Sequence, residues 1–301
     1  MAFGRGKVIL LGEHGVVYGH PALAAGIERG VHATATEAAA AQLSIPVWDI
    51  EVTPSCEAGE NLGRAFDALV NVYDTPPRLA VRAEVALPAG AGLGCSAALG
   101  VAILGAMDEA LGVERSAEER ADVSLAWERV FHGNPSGVDS AMASTGGVAV
   151  FQKGKDLEPI LPRNPLTLII ANTGDSASTK TMVDSVARER ERNRERVDGV
   201  FDAIAAVVRN GALAVSAGDW NALGQLMDLN QGLLASLLLS TEKLDDLCHL
   251  AREAGAFGAK LTGSGGGGCM VALAADRTSA ETILHAIEGI AEEAFIAEVG
   301  T

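Results

Sequence analysis

The feature that most constrains this chain is a run of glycines near its carboxyl-terminal end, Thr262-Gly-Ser-Gly-Gly-Gly-Gly268. Four consecutive glycines weaken any regular element, because glycine loses more backbone entropy on folding than alanine does. A flexible hairpin is one interpretation of this run. We favour the other, in which the backbone packs closely against a second loop or a nucleotide, since glycine has no side chain to keep a neighbour away.

A second glycine-rich segment lies between a predicted strand, residues 80–87, and an apolar stretch at 99–107 that predicts a helix. The segment reads Gly90-Ala-Gly-Leu-Gly-Cys-Ser96. Its glycines permit positive φ angles, and the free N–H groups at the helix start favour a phosphate. Neither Gly-x-Gly-x-x-Gly nor the Walker sequence is present, so a tight turn without a ligand is the alternative.

Two carboxylates and a lysine could serve phosphate chemistry. Glu128 lies in a helix that we expect to begin at Ser116 with a capping box to Glu119, and Asp139 follows the loop after this helix. Lys7 begins the apolar strand 7–11. Phosphoryl transfer needs carboxylates for Mg²⁺ and for the acceptor hydroxyl, and a cation to offset charge. The alternative is that these are surface charges or loop caps.

The helix that carries Glu128 has a candidate apolar face and a defined end. Gly133-Asn134-Pro135 should terminate it, because proline disfavours helix at the preceding residue. We expect its buried face to comprise the apolar residues Val123, Ala126, Val130 and Phe131.

Composition excludes several classes of protein. The net charge of −16 disfavours nucleic-acid binding, because such a chain repels phosphate backbones. The four cysteines show no metal-binding spacing, which fits a reducing compartment. The apolar run at the amino terminus is too short for a signal peptide, and the run 233–239 is too short to span a membrane. We expect a cytoplasmic protein with no nucleic-acid or membrane partner.

A loop-rich stretch, residues 154–165, predicts a boundary between domains 1–160 and 161–301. Strands and helices follow one another without strict alternation, which favours an α+β fold. The elements predicted after the boundary are a strand at 166–171, a long charged helix at 179–209, a helix from Asp219, a helix at 242–253, strands at 257–261 and 269–273, a helix at 279–290 and a strand at 295–299.

Three separated segments together resemble the motifs of the GHMP kinases, in the order in which that family carries them. They are Gly6-Lys-Val-Ile-Leu-Leu-Gly-Glu-His14, Pro88-Ala-Gly-Ala-Gly-Leu-Gly-Cys-Ser-Ala-Ala98 and Lys260-Leu-Thr-Gly-Ser-Gly-Gly-Gly-Gly-Cys269. The resemblance implies a two-domain GHMP kinase fold, with an N-terminal ribosomal-protein-S5-like domain and a C-terminal ferredoxin-like α/β domain. Within the family, residues 12–24 and 128–139 resemble the branch that phosphorylates mevalonate.

That resemblance implies a role for each motif residue. Asp139 would orient or deprotonate the C5 hydroxyl of mevalonate, and Lys7 would steady the charge that develops there. Ser96 and Glu128 would bind Mg²⁺. Glu13, His14 and Thr179 would contact the substrate. The residues expected to wrap the ATP phosphates are Gly90, Ala91, Gly92, Leu93, Gly94, Cys95 and Ser96. A homodimer is a further expectation from the family.

The chain departs from the family pattern at Cys95, which replaces the first of two serines and leaves Ser96 as the hydroxyl at the helix start. If the metal ligand were the first serine, the assignment to Ser96 would fail. Another GHMP kinase, acting on phosphomevalonate or a sugar, is the main alternative, although Gly15-Val-Val-Tyr18 differs from the Thr-Asp usual in galactokinases. A non-catalytic ligand sensor would have no chemical need for Lys7, Glu128 and Asp139 together.

Overall fold

The computed structural model describes residues 1–57, 60–133, 135–175 and 177–300. Two units share the chain, which passes between them several times. The first comprises residues 1–7, 29–89 and 94–146, and the second comprises residues 8–28, 90–93 and 147–301. The domain division at residue 160 stays a prediction.

The first unit combines strands with four helices. Its elements are β1 (Ala2–Leu11) and β2 (Ala22–Glu37), which both continue in the second unit, with β3 (Gln42–Ile45), β4 (Ile50–Val52), α1 (Asn61–Val70), β5 (Leu79–Val85), α2 (Cys95–Leu111), α3 (Ala117–His132) and α4 (Val138–Thr145). The strand order here is β4-β3-β5-β2, and β1 pairs with β2. Only the β3–β5 pair in this path is parallel. Mixed pairing of this kind agrees with the predicted α+β class.

Helix α2 is buried on almost its whole circumference, as expected for a central helix without a polar face. Helix α3 packs closely against it because Gly100 leaves room for Trp127: a Cβ at Gly100 would lie 2.8 Å from the indole ring. Ser96 lies one turn before Gly100, and Glu128 directly follows Trp127. The close approach of these helices therefore brings Ser96 and Glu128 within reach of each other.

The structure confirms the capping box that begins α3 at Ser116 and Glu119. The predicted apolar face was wrong, because the buried residues of α3 are Ala121, Ser124, Trp127 and Glu128. Trp127 fills the space beside α2, and this contact sets the rotation of the helix. Helix α3 ends at His132, close to the predicted stop, but Asn134 lies outside the described residues.

In its described residues, the second unit contains a second sheet and five α-helices. Its elements are β6 (Val148–Phe151), β7 (Glu158–Ile160), β8 (Leu166–Asn172), α5 (Thr179–Arg192), α6 (Arg194–Ala217), α7 (Trp220–Ser236), α8 (Glu242–Glu253), β9 (Gly258–Thr262), β10 (Cys269–Ala274), α9 (Arg277–Ile287) and β11 (Glu293–Val299). The second sheet is antiparallel, with four strands in the order β11-β8-β10-β9, and helices α7, α8 and α9 pack on it. The first residues of β2 pair with β6, and β6 pairs with β7.

The long charged helix predicted at 179–209 is two helices. Helix α5 ends at Arg192, and the side chain of Asn193 accepts a hydrogen bond from the backbone N–H of Arg196 to begin α6. Asparagine is a favoured residue at such a start because its side chain replaces a missing backbone partner. The prediction was wrong here because the charge pattern continues through the break.

One helix among the described residues, α6, is long and apolar enough by length and composition to cross a membrane. Its buried residues recur at helical spacing, as Val197, Phe201, Ile204 and Val208 illustrate. Exposed charges such as Asp202 lie on the opposite face. This arrangement is that of an amphipathic helix packed on a protein core.

Candidate functional site

Lys7 and Asp139 form an ion pair in the first unit, with 2.8 Å between Lys7 Nζ and Asp139 Oδ1. The lysine side chain on β1 is 5% exposed, whereas the carboxylate at the start of α4 is 35% exposed. Gly94 packs directly beside the pair, since a Cβ there would lie 2.9 Å from Lys7 Cγ and 3.6 Å from Asp139 Oδ1. The start of α2 thus lies next to a carboxylate that solvent or a ligand can reach.

Ser96 and Glu128 form a second contact in the same unit, in which the Ser96 hydroxyl donates to Glu128 Oε1 over 2.5 Å. Glu128 is buried, and burial raises the pKa of its carboxyl to about 7. The Ser96 hydrogen bond and the Lys7 charge oppose this rise in pKa, whereas the Asp139 charge adds to it. The four predicted residues therefore influence one another electrostatically.

Cys95 does not share the environment of Ser96. Its side chain is buried, and burial together with the Glu128 charge raises the pKa of the thiol to about 12. A protonated thiol is a poor metal ligand and a poor nucleophile. Of the two adjacent residues, Ser96 is the one whose side chain contacts the carboxylate.

Within the described ranges, no group of three His, Cys, Asp or Glu side chains could hold a metal ion by itself. Ser96 and Glu128 offer two hard oxygen atoms, which suits Mg²⁺ when substrate phosphates supply further ligands. The residues therefore fit a magnesium site that is completed by a nucleotide, rather than a site made of protein alone.

The two glycine-rich segments meet in the second unit. Gly90, Ala91 and Gly92 line one narrow groove together with Thr262, Ser264, Gly265, Gly267 and Gly268, and Cys269 donates its backbone N–H to Ala91 O over 3.1 Å. A Cβ at Gly92 would lie 3.0 Å from Thr262 O, and one at Gly268 would lie 3.0 Å from Ala91 O. The predicted close packing of the glycine run against another loop is confirmed. Most of the residues that line the groove are glycines, so its surface is largely backbone.

His14 and Thr179 are both next to Ser264, which lies within the glycine run. His14 Nε2 lies 2.9 Å from Ser264 O, and the Ser264 hydroxyl donates to Thr179 Oγ1 over 3.5 Å. Because a carbonyl oxygen only accepts, His14 must carry its proton on Nε2. Burial lowers the pKa of His14, so the ring is neutral and Nδ1 is an acceptor. Nδ1 is buried without a hydrogen-bond partner among the described residues.

Glu13 lies in the interior of the second unit with 0% exposure. Its Oε1 accepts from Lys260 Nζ, and its Oε2 accepts from Asn230 Nδ2 over 3.0 Å. Burial raises the pKa of the Glu13 carboxyl, and the charge of Lys260 opposes that rise. Both oxygens are engaged inside the protein, so a substrate contact by Glu13 stays a prediction.

The sequence interpretation assigned no role to Lys260, Asn230 or Ser264. The sequence does contain an indication for Lys260, because residues 256–261 are otherwise apolar or small. If that stretch is buried, its lysine must be paired with an acceptor. Asn230 and Ser264 gave no comparable signal, because polar residues in a helix or a glycine loop are ordinarily solvated.

Comparison with known families gives two matches that cover more than half of the chain. The model described as "GHMP kinases N terminal domain" matches residues 60–147, and the model described as "GHMP kinases C terminal" matches residues 203–291. These matches lie in the amino-terminal and carboxyl-terminal halves of the chain respectively.

Individual proteins are similar over nearly the full length. The mevalonate kinase of Pyrococcus horikoshii is 37% identical over 301 residues, which cover 92% of this chain and 89% of that protein. The mevalonate kinase of Pyrococcus furiosus is 36% identical over 295 residues, or 90% and 88% of the two chains. The crystal structure of L. major mevalonate kinase in complex with R-mevalonate superposes with a TM-score of 0.87, 27% identity, and coverage of 99% and 94%.

Proposed function

The chain belongs to the GHMP kinase family, and we propose that it transfers the terminal phosphoryl group of ATP to the C5 hydroxyl of mevalonate. The product would be 5-phosphomevalonate, an intermediate in isoprenoid synthesis. The observation that carries the proposal is the Lys7–Asp139 ion pair beside Gly94 at the start of α2, where an accessible carboxylate and a buried cation lie next to each other. A non-catalytic sensor would have no use for such a pair.

Asp139 and Lys7 are our candidates for the reacting groups. The Asp139 carboxylate would accept the hydrogen bond of the C5 hydroxyl and take its proton as the hydroxyl oxygen bonds to the γ-phosphorus. The bond from that phosphorus to the leaving oxygen of ADP breaks in the same transfer. Lys7 Nζ, already 2.8 Å from Asp139, would offset the negative charge on the transferring group.

Ser96 and Glu128 are our candidates for holding Mg²⁺. When bound, Mg²⁺ offsets the charge of phosphate oxygens and orients them for transfer. The Ser96 hydroxyl and the Glu128 carboxylate support the proposal because they are hard oxygen donors 2.5 Å apart at the start of α2. In this proposal Cys95, whose side chain is buried, would contribute only its backbone, and Ser96 would supply the hydroxyl.

The groove between the two glycine-rich segments is our candidate for the ATP phosphates. Gly90, Ala91 and Gly92 line it, and Leu93, Gly94, Cys95 and Ser96 continue the loop into α2. Backbone N–H groups would bind the phosphate oxygens, and positive φ at Gly90, Gly92 and Gly94 makes that path accessible only to glycine without strain.

The acceptor would be held by His14 and Thr179. His14 Nδ1 can accept a hydrogen bond from a substrate hydroxyl, which would satisfy a buried polar atom. Thr179 begins α5, so its hydroxyl and the helix N-terminus can bind a carboxylate such as that of mevalonate. A cytoplasmic location and a homodimer complete the proposal.

An ADP-release assay with a panel of acceptors tests the proposed function. The purified protein with Mg²⁺ and ATP should release ADP with mevalonate, and not with phosphomevalonate, galactose or homoserine. If the protein turned over one of those three acceptors and not mevalonate, mevalonate would be excluded as the substrate, and membership of the GHMP kinase family would be unaffected.

The Asp139→Asn variant tests the reacting group in the same assay. It should lose at least about a thousandfold in kcat, because the base is replaced by a neutral amide, while ATP binding is retained. Asp122→Asn, an exposed carboxylate on α3, is the matched control and should behave as wild type. Near-normal turnover by Asp139→Asn would exclude the assigned role.

A further inference from the structure

We propose that Lys260 is a positioning residue for the acceptor site, and that Glu13 is its internal partner rather than a substrate ligand. Together they would hold the turn that carries His14, so that the free ring nitrogen of His14 faces the acceptor. This proposal rests on the proposed function, because the substrate it concerns is the acceptor of that reaction.

Lys260 lies within β9 and points into the interior of the second unit. Its side chain is 0% exposed, and Nζ donates to Ile9 O at 3.3 Å, to Leu261 O and to Glu13 Oε1. A buried ammonium group requires several acceptors to offset the loss of water. Three acceptors within one unit meet that requirement, and two of them, Ile9 O and Glu13 Oε1, belong to the first motif.

Alternate residues from Lys260 onward each contact the first motif. Lys260 binds Glu13, Thr262 exchanges hydrogen bonds with Ile9 through its hydroxyl at 2.9 and 3.2 Å, and the Ser264 carbonyl accepts from His14. Within β9, Lys260 and Thr262 lie on the same face because strand side chains alternate. Three residues of the third motif therefore form hydrogen bonds with the first motif.

The buried Glu13–Lys260 pair is a costly way to stabilise a fold. Removing two charges from water offsets much of their mutual attraction, and apolar replacements of such pairs are often as stable. Asn230 adds a further hydrogen bond to Glu13, so both carboxylate oxygens have fixed partners. A fixed carboxylate at this position determines the path of the adjacent backbone, and that path leads directly to His14.

His14 has the backbone conformation that needs such support. Its φ is 59° and its ψ is −46°, a positive-φ conformation that non-glycine residues rarely adopt and that persists only when the surroundings enforce it. On one side of His14 the backbone follows from Glu13, and on the other side Gly15 donates its N–H to Glu13 O over 2.7 Å. Its ring is fixed by the Ser264 carbonyl. Loss of the Glu13 anchor would release this turn and reorient Nδ1.

The double variant Glu13→Gln/Lys260→Met tests the proposal without leaving one charge buried and unpaired. Its unfolding temperature should stay close to that of wild type, whereas each single variant should unfold at a lower temperature. The KM for mevalonate should rise by about tenfold or more, because a small displacement of an orienting group weakens acceptor binding. The KM for ATP should change by less than about twofold.

A second ion pair next to Lys260 provides the matched control. Asp228 Oδ1 and Arg252 Nη1 are 2.9 Å apart, and both also bind the backbone of Ala259, the residue before Lys260. The double variant Asp228→Asn/Arg252→Met should lower the unfolding temperature and leave the KM for mevalonate unchanged. A wild-type KM in the Glu13/Lys260 double variant, or an equal rise in KM in the control, would overturn the proposal.

Nitrogen-15 NMR of the His14 ring gives a readout that is independent of turnover. The resonance is assigned by its loss in a His14→Asn variant. Wild type should show a fixed tautomer with the proton on Nε2, and the Glu13/Lys260 double variant should show mixed tautomers. An unchanged spectrum would overturn the positioning role even if mevalonate proved not to be the acceptor, so the two proposals can fail separately.

Discussion

At the scale of single residues, the start of α2 depends on which of two adjacent side chains faces Glu128. Successive residues of a helix point about 100° apart, so the side chains of Cys95 and Ser96 face different directions. Ser96 makes the contact, and Cys95 is buried with a pKa raised to about 12. The replacement of the first serine by cysteine therefore leaves the candidate metal site intact.

Substitution of these two residues should have unequal effects. Ser96→Ala should raise the Mg²⁺ concentration for half-maximal rate by about tenfold or more, because a hard oxygen ligand is lost. Cys95→Ser should leave that concentration within about twofold of wild type, since the hydroxyl that donates to Glu128 is that of Ser96. Magnesium titrations of the initial rate measure both. A large change in this concentration with Cys95→Ser, and a small one with Ser96→Ala, would indicate that residue 95 and not Ser96 is the metal ligand.

The contacts among the predicted residues of the first unit follow from the sequence prediction, whose catalytic and metal-binding roles stay proposals, whereas the contacts around Glu13 were not predicted. Lys7, Ser96, Glu128 and Asp139 belong to motifs whose chemistry requires them, and the structure brings them together in two contacting pairs. Glu13 and Lys260 are 247 positions apart. Their pairing depends on tertiary packing, which spacing along a chain does not encode.

At the scale of elements, the glycine-rich loops are shaped by contacts between backbones. Gly263, Gly265, Gly266, Gly267 and Gly268 all have positive φ, so the run is a folded path rather than a flexible hairpin. The segment 90–92 packs against it. The sequence predicted close packing in preference to a flexible hairpin, because repeated glycines lower the stability of the fold unless a close approach requires them.

A Cβ at Gly92 should impair nucleotide binding. Gly92→Ala places a methyl group 3.0 Å from Thr262 O at a φ of 83°, so the loop must shift where phosphates are expected. The Kd for ATP should rise by about tenfold or more, as measured by calorimetry. Gly232→Ala on α7, where a Cβ meets no atom within 4 Å, is the control and should leave the Kd unchanged.

The break between α5 and α6 should be sensitive to its capping residue. Asn193→Ala removes the side chain that accepts from the Arg196 N–H and should lower the free energy of unfolding by about 1 kcal/mol. Asn210→Ala, within α6 and exposed, is the comparison and should change it by less than about 0.5 kcal/mol. Equal effects in urea denaturation would mean that the cap does not begin the helix.

Helices with a clear capping residue and apolar spacing were predicted closely, whereas a strand that forms through pairing with distant strands was missed. Helix α8 has the predicted bounds Glu242–Glu253, with the Thr241 side chain capping its start. Strand β2 was not predicted, because its alanines have a low preference for strands. It forms because it pairs with β5 in the first unit and with β6 in the second.

At the scale of the whole molecule, the order of the three motifs carries information that no single motif holds. Each unit is assembled from separate segments of the chain, so residues that cooperate come from distant positions. The Lys7–Asp139 pair in the first unit and the glycine groove in the second illustrate this. One glycine-rich loop allowed a ligand-free turn, whereas three motifs in the family order predicted a kinase, in agreement with the relatives found.

The most direct test of the central claim is phosphorus-31 NMR of the protein incubated with Mg²⁺, ATP and R-mevalonate. We predict a new phosphomonoester resonance that couples to the methylene protons on C5, with an equal amount of ADP formed. The Asp139→Asn variant should give neither signal. Formation of ADP with inorganic phosphate alone, or a phosphomonoester on a carbon other than C5, would contradict the proposed transfer.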